Sequence, residues 1–356
     1  MTPTPTPKRI AIIPGDGIGK EVIPEAVKVI QAAVAREGTK LEITNFDWGA
    51  DRFLRDGTTL PADAPEMFRR DFDAILLGAM GDPRVPSNQH AADILLGLRF
   101  KLDLYVNVRP CVLLDPRLTP LRDRTERDIN FVVFRENTEG SYVGMGGIFK
   151  KGTADEIATQ EDVNTYKGVE RILRYAFEYA RKNKLAKLCM SDKSNALAFG
   201  HDLWQRLFKK MRTEYPEIQS SHQFIDNLLM QIIRDPSQFQ VIVTCNMFGD
   251  IASDVGAQIA GGLGLAPSGN IHPGQVSMFE PVHGSAPTIA GKNEANPMGC
   301  ALTGAMMLEY LGLPEPAKRI NAAIRAALKQ GKTTVDLGGS LGTRECGDWL
   351  ANFVAK

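Results

Sequence analysis

The chain has no excess of either charge: its 356 residues carry 42 Lys+Arg and 42 Asp+Glu. No global field therefore draws it to nucleic acid or to a membrane surface, and any anionic ligand must be held by a local cluster. No apolar stretch reaches membrane-spanning length, and no secretory signal pattern is visible. Cysteine is sparse. Cys111, Cys189, Cys245, Cys300 and Cys346 are odd in number and lack any Cys-x-x-Cys spacing, which argues against a disulfide or zinc framework and fits reduced thiols in a cytoplasm. The leader Met1-Thr-Pro-Thr-Pro-Thr-Pro7 reads as extended and frayed.

What the chain does have is core-forming material, with 43% hydrophobic and 24% charged residues, in a length that favours two lobes over one. Strand and helix patterns alternate, which points to an α/β fold. Strands are expected at 9–14, 41–46, 74–77, 129–134, 187–190 and 241–244, and helices at 21–36, 164–183, 201–213 and 226–234. Two apolar helices, at 297–312 and 315–329, are expected to close the chain. A Gly/Pro cluster at 261–273 suits a crossing between lobes. Gly15, Gly17 and Gly19 follow the first strand, but the spacing is not the G-x-G-x-x-G of a dinucleotide fingerprint; a strand-to-helix turn explains them equally well.

The chemistry concentrates in the acidic and basic residues. Val241 to Thr244 reads as a buried strand that breaks at Gly249 and continues as a helix opened by Asp250 and Asp254, at i and i+4 on one face. Two such carboxylates repel unless a cation sits between them, and Mg²⁺ or Mn²⁺ takes oxygen ligands. The plainer alternative is a solvated helix start favoured by the helix dipole. Asp226 lies a short way upstream. Arg99, Arg109 and Arg135 offer guanidinium forks that would suit a dicarboxylic acid, and Arg135 ends a strand, at the rim where α/β sites form. Lys193 follows another strand; among a metal and arginines its pKa would fall and it could act as a base, with Tyr142 as the matching acid.

Six ordered motifs carry a resemblance: Pro14-Gly-Asp-Gly-Ile-Gly19, Asn107-Val-Arg-Pro110, Arg135-Glu-Asn-Thr-Glu-Gly140, Asp192-Lys-Ser-Asn195, Asn246-Met-Phe-Gly-Asp-Ile-Ala-Ser-Asp254 and Glu280-Pro-Val-His-Gly-Ser-Ala-Pro287. With them the chain resembles the metal-dependent β-hydroxyacid oxidative decarboxylases, the isocitrate/isopropylmalate dehydrogenase family. The resemblance implies a two-lobed fold that is not a Rossmann fold, with a central mixed sheet and an active-site cleft between lobes. Residues 1–104 and 262–356 would form the first lobe, with both termini and the cofactor, and 105–261 the second, with the metal and substrate site and the dimer interface. Arg99, Arg109 and Arg135 would hold the substrate carboxylates and Asp250 and Asp254 the metal. Asp226 and the base Lys193 would come from the other subunit of a homodimer, and Tyr142 would protonate the product enol. Gly15 and Gly17 would lie near the nicotinamide of NAD. His283, Gly284, Ser285, Ala286, Pro287, Thr288 and Asn296 would cradle its adenosine half.

Two places depart from family patterns. Ahead of Arg99, Asp93, Leu95 and Leu96 would repel or desolvate a third carboxylate, while the leucines suit an isopropyl group. This ranks 3-isopropylmalate, and hence leucine biosynthesis, first. Arg135 to Gly140 and the inserted Gly147-Ile-Phe-Lys-Lys-Gly-Thr153 look more like tartrate and D-malate members, the second reading. Thr288 stands where NAD-using relatives usually place an aspartate for the ribose hydroxyls; no cationic group for a 2′-phosphate is evident, so NAD is expected. A non-catalytic regulatory subunit of the same fold is the different-class alternative, and retention of Lys193, Tyr142, Asp226, Asp250 and Asp254 weighs against it.

Overall fold

Ile10 to Ile13 are buried without alternation, the mark of a strand covered on both faces. They form the middle of Lys8–Gly15. The structure, a computed structural model, describes residues 7–356, so the leader up to Thr6 lies outside the described residues. It divides into two compact units. One comprises the chain up to Leu104, Leu113–Glu126 and Ala257–Lys356; the other comprises Tyr105–Val112 and Arg127–Gly256.

In the first unit, strands run in the order Leu41–Asn45, Lys8–Gly15, Ala74–Ala79, Ser277–Pro281, Pro267–Ile271. All neighbours are parallel except the last pair, which is antiparallel. Ala11, Ile13, Ile75 and Leu77 share one face with Trp48, Phe68, Ile94 and Leu98, which seats the helices Ala64–Asp71 and Gln89–Lys101 there. Helix Met298–Tyr310 is apolar on nearly all sides and accordingly buried among Gly19–Ala35, Pro314–Lys329 and the strands. The chain closes on a further helix, Thr343–Ala355, packed on Gly19–Ala35, so the two expected terminal helices are followed by a third.

The second unit repeats the mixed pattern. Val106–Val112 pairs antiparallel with Asn130–Glu136, and Val241–Thr244, Lys187–Asp192 and Gln219–Phe224 follow in parallel. Helices Tyr166–Lys182, Gly200–Glu214, Ile225–Arg234 and Asn246–Ile259 complete it. Gly146–Phe149 and Ile157–Gln160 make a separate, exposed antiparallel hairpin that includes part of the inserted segment.

Three differences from the sequence reading have physical causes. Residues 113–126 group with the first unit, because Arg117 donates to the Leu328 carbonyl (2.8 Å) and Arg325 to that of Leu114 (3.4 Å). The Gly/Pro cluster is no crossing: it contains the strand Pro267–Ile271, and the chain passes from one unit to the other at Gly256, inside a helix. That helix begins at Asn246, not beyond Gly249. Gly249 is a close-approach site instead of a breaker: a Cβ there would stand 2.5 Å from Arg135 Cβ and 3.1 Å from its Cα.

Gly249→Ala is therefore expected to destabilise the protein. Overpacking against a backbone-near atom costs about 1–3 kcal/mol, more than the helix-propensity gain of about 1 kcal/mol can offset. Thermal unfolding should show a Tm lower by a few degrees; a raised Tm would mean that the helix is not seated on the Arg135 strand.

Candidate active site

Asn107 and Arg135 face each other across the antiparallel pair, with Arg109 two residues along and paired to Val133. The period of two puts both arginines on one face of the sheet. Helix Asn246–Ile259 lies on that face and delivers its acids to them. Arg135 Nε donates to Asn246 Oδ1 (2.9 Å) and Nη1 to Asp250 Oδ1 (2.5 Å). Arg109 Nη1 donates to Ser253 Oγ (2.8 Å) and lies 3.1 Å from Asp250 Oδ1 and 3.5 Å from Asp254 Oδ1. Tyr142 OH donates to the other oxygen, Asp250 Oδ2 (2.9 Å), and its ring lies under the Arg135 guanidinium at 5.1 Å. The arginine side chains are 2% and 9% exposed, whereas Asp250 and Asp254 are 36% and 58% exposed. The cations are sunk into the unit and the carboxylates face outward. Asp250 occupies the fifth position of its helix, so the dipole of a helix start does not explain it. Desolvation raises the Asp254 carboxyl above its ordinary value, Arg109 opposes this, and the neighbouring Asp250 adds to the rise.

Lys193 and Asp226 form a separate pair in this chain, Nζ to Oδ1 at 2.7 Å, and this contact holds the Asp226 carboxyl below its ordinary value. Asp226 does not join Asp250 and Asp254: the described residues contain no cluster of three or more metal-ligating side chains. Lys193 is aimed by its neighbours. Its backbone N–H donates to His201 Nδ1 (2.9 Å), and burial lowers the His201 pKa, which favours the neutral, accepting ring. Asp192, fully buried, accepts from Gln205 Nε2 (2.7 Å), His222 Nε2 (2.9 Å), the Ser194 amide (3.0 Å) and Ser194 Oγ (3.1 Å).

In the first unit, the 15–19 turn meets the 283–287 loop. Gly17 takes φ +50° and a Cβ on it would stand 2.1 Å from the Ser285 carbonyl oxygen, to which the Ile18 amide donates at 2.9 Å. Gly15 is also left-handed, at φ +72°. Ala286 holds φ +40°, while Gly284, Pro287 and Thr288 are exposed. His283 Nδ1 lies 3.1 Å from the Gly284 carbonyl oxygen; Nε2 has no partner among the described residues, and burial pushes the ring pKa down. Asn296 is engaged at both ends, donating to Asp336 Oδ2 (3.0 Å) and accepting from the Met298 amide (2.9 Å). Arg99 is buried and donates to Glu280 Oε1 (2.8 Å), which Asn270 also contacts at 2.9 Å. On the same helix Leu95 leans on the core and Leu96 is half-buried.

Sequence reasoning missed Asn246, Ser253, Asp192, Glu280 and Asp336. The first four lie inside the quoted motifs, where they were available as signals; Asp336 lies in none.

Residues 9–350 match the family model described as isocitrate/isopropylmalate dehydrogenase. The chain belongs to this family. It is 46% identical over 350 residues to a 3-isopropylmalate dehydrogenase of Thermobifida fusca, covering 98% of each chain. A 3-isopropylmalate dehydrogenase of Bifidobacterium longum is 47% identical, over 92% of this chain and 94% of that one. Among solved structures, isocitrate dehydrogenase from Methylococcus capsulatus superposes with a TM-score of 0.89 at 36% identity, over 98% of this chain and 100% of that one. The TT0538 protein of Thermus thermophilus superposes with a TM-score of 0.86 at 35% identity, over 98% of this chain and 68% of that one. The family fixes the fold as α/β with a mixed sheet, as the sequence motifs implied.

Asp192 generates a pH prediction. Burial alone would raise its carboxyl, but the hydrogen bonds from His222, Ser194 and Gln205 outweigh this and the net shift is below the ordinary 3.8. A depressed native pKa gives stability that is complete above the unfolded value and is lost as pH falls through the native one. Asp192→Asn should be less stable near neutrality, and its urea midpoint should fall less steeply below about pH 4 than the parent's. Parallel midpoint curves for the two proteins would remove Asp192 as a source of acid sensitivity.

Proposed function

We propose that the protein oxidatively decarboxylates 3-isopropylmalate to 2-oxoisocaproate with NAD and Mg²⁺ or Mn²⁺, as a cytoplasmic homodimer. The observation that carries this reading is the sharing of Asp250 by Arg109, Arg135 and Tyr142 beside Asp254. Two guanidinium forks, two carboxylates four residues apart and a phenol thus stand in one cluster, which supports the reading. The donor set fits a hard divalent cation, and the exposed sides of Asp250 and Asp254 leave room for it. One chain supplies two carboxylates; Asp226 of the partner subunit is the proposed third. The orphaned His283 Nε2 and the exposed Gly284, Pro287 and Thr288 suit a nucleotide that offers hydrogen-bond partners.

In the mechanism, Arg109 and Arg135 turn from Asp250 to the substrate carboxylates, gaining bidentate contacts. A divalent cation, which Asp250 and Asp254 would hold, would supply Lewis-acid polarisation of the substrate oxygens, and NAD, which the 283–288 loop and Asn296 would hold, would supply the hydride acceptor. Lys193 takes the hydroxyl proton. Its amide tie to His201 and its place beside the Asp192 knot hold the base in position. Loss of the β-carboxylate as CO₂ leaves an enol, and Tyr142 delivers a proton to C3. Arg99, Leu95 and Leu96 are the proposed contacts to the remaining carboxylate and the side group, and Asp93 disfavours a third carboxylate there.

The dimer is supported by apolar side chains on the helices that carry the acids: Met230 and Ile233 with Asp226, and Met247 and Ile251 with Asp250, are all 40–60% exposed. No helix among the described residues is long and apolar enough to cross a membrane, and all five cysteines are free and buried. A tartrate or D-malate substrate is the second reading, favoured by the exposed hairpin that carries the inserted segment.

Initial rates with 3-isopropylmalate, D-malate, tartrate and isocitrate, each with NAD and NADP, test the assignment. The highest kcat/KM is expected for 3-isopropylmalate with NAD; a higher value for D-malate or tartrate would install the second reading. In the same assay Asp250→Asn should abolish metal-dependent turnover while the protein remains a dimer by light scattering. Near-parental rates across a Mn²⁺ titration would remove Asp250 from the metal site.

Mixing inactive Lys193→Ala and Asp254→Asn homodimers under subunit exchange tests the shared site. Each heterodimer would hold one intact site, so about a quarter of parental activity is expected from random exchange. No recovery despite proven heterodimers would place both residues in one chain's site.

A further inference from the structure

Asp16 and His90 take no part in the mechanism above, yet both are fully buried polar side chains at its edge. A buried carboxylate is tolerated only when donors satisfy it, and Asp16 draws its donors from three separate segments. Oδ1 accepts the Ala50 amide at 2.7 Å, and Oδ2 accepts the Gly81 amide at 2.8 Å and His90 Nε2 at 2.8 Å. Asp16 sits between the two left-handed glycines of the 15–19 turn, so the turn's conformation and the carboxylate's aim are fixed together. His90 stands at the opening of helix Gln89–Lys101, which carries Leu95, Leu96 and Arg99. That helix starts from Asn88 at φ +53° with no side-chain cap. Its first turn is therefore tied by His90, whose ring packs face to face with Phe53 (centroids 6.0 Å apart, 24° between planes). Nδ1 has no partner among the described residues, so the Asp16 bond is the ring's one polar anchor among them.

We infer that Asp16 and His90 are a positioning pair that sets the 15–19 turn against the helix of Leu95, Leu96 and Arg99, so that the cofactor and the substrate side group are held in one register. The inference rests on the proposed roles of that turn and that helix. A merely structural pair would stabilise the core and leave binding alone. A positioning pair moves both ligands together, because one hydrogen bond joins the two elements that hold them.

His90→Leu keeps an apolar volume and removes the donor; His90→Gln returns an amide donor near the place of Nε2. In ligand-free protein, hydrogen–deuterium exchange should rise in His90→Leu at both 15–19 and 89–96 and return toward parental in His90→Gln. In steady state, KM for NAD and KM for 3-isopropylmalate should rise together by roughly tenfold, the lower end of the scale of one lost hydrogen bond to a charged group, with kcat nearly unchanged. Exchange that rises only around residue 90 with both KM values unmoved, or a His90→Gln protein that behaves like His90→Leu, overturns the inference. Coupled exchange in a protein that oxidises none of the four acids keeps the tie and overturns only the proposed function.

Discussion

The placement of Arg135 constrains most of the second unit. A guanidinium 2% exposed cannot stay buried without an anion, because an unpaired buried charge costs several kcal/mol. Asp250 is that anion, and it can reach only because the helix approaches the strand closely enough that Gly249 must lack a side chain. The approach brings Asn246 onto Arg135 Nε and Ser253 onto Arg109 as well. One charge requirement thus sets the depth and rotation of helix Asn246–Ile259, and with them the outward aim of Asp254.

The same requirement would make the proposed site responsive to its ligands. In the free chain the cationic groups are parked on carboxylates: Arg109 and Arg135 on Asp250, and Lys193 on Asp226. Removing one partner of a buried pair is far more costly than exchanging it for another of like charge. In the proposed site, a ligand carboxylate arriving at the arginines would free Asp250, and a cation arriving at Asp250 would free the arginines. Each event lowers the cost of the other, so a metal and a dicarboxylate would bind with positive coupling.

Much of this was legible in the sequence. The buried strands at 9–14, 74–77 and 241–244 and the i, i+4 acids followed from apolar runs and helical spacing alone. The strand Val106–Val112 was not read as one, since Asn107, Arg109 and Pro110 interrupt the apolar signal. Arg109 is accommodated there by Ser253 and the two acids of the helix Asn246–Ile259. Gly249 was misread as a breaker because local propensity cannot see Arg135, more than a hundred residues away. Asp192 went unnoticed for a related reason: a buried carboxylate is defined by donors such as Gln205 and His222, which only the fold assembles. The Lys193–Asp226 contact spans 33 residues and had no local signature.

Charge counting bears on the substrate. Within the second unit, Arg109 and Arg135 are balanced by Asp250 and Asp254, and Lys193 by Asp226. The ligand-free groups are therefore neutral in sum. A divalent cation and a dicarboxylate add equal and opposite charge and keep the sum at zero, whereas a tricarboxylate leaves one negative charge with no partner among these groups. In the proposed site, whose arginines are largely withdrawn from water, that residual charge would be weakly screened and would cost binding free energy. The nearness in fold to an isocitrate dehydrogenase is thus compatible with a different preference, because the fold sets where the charges stand and the count of charges sets which acid they accept.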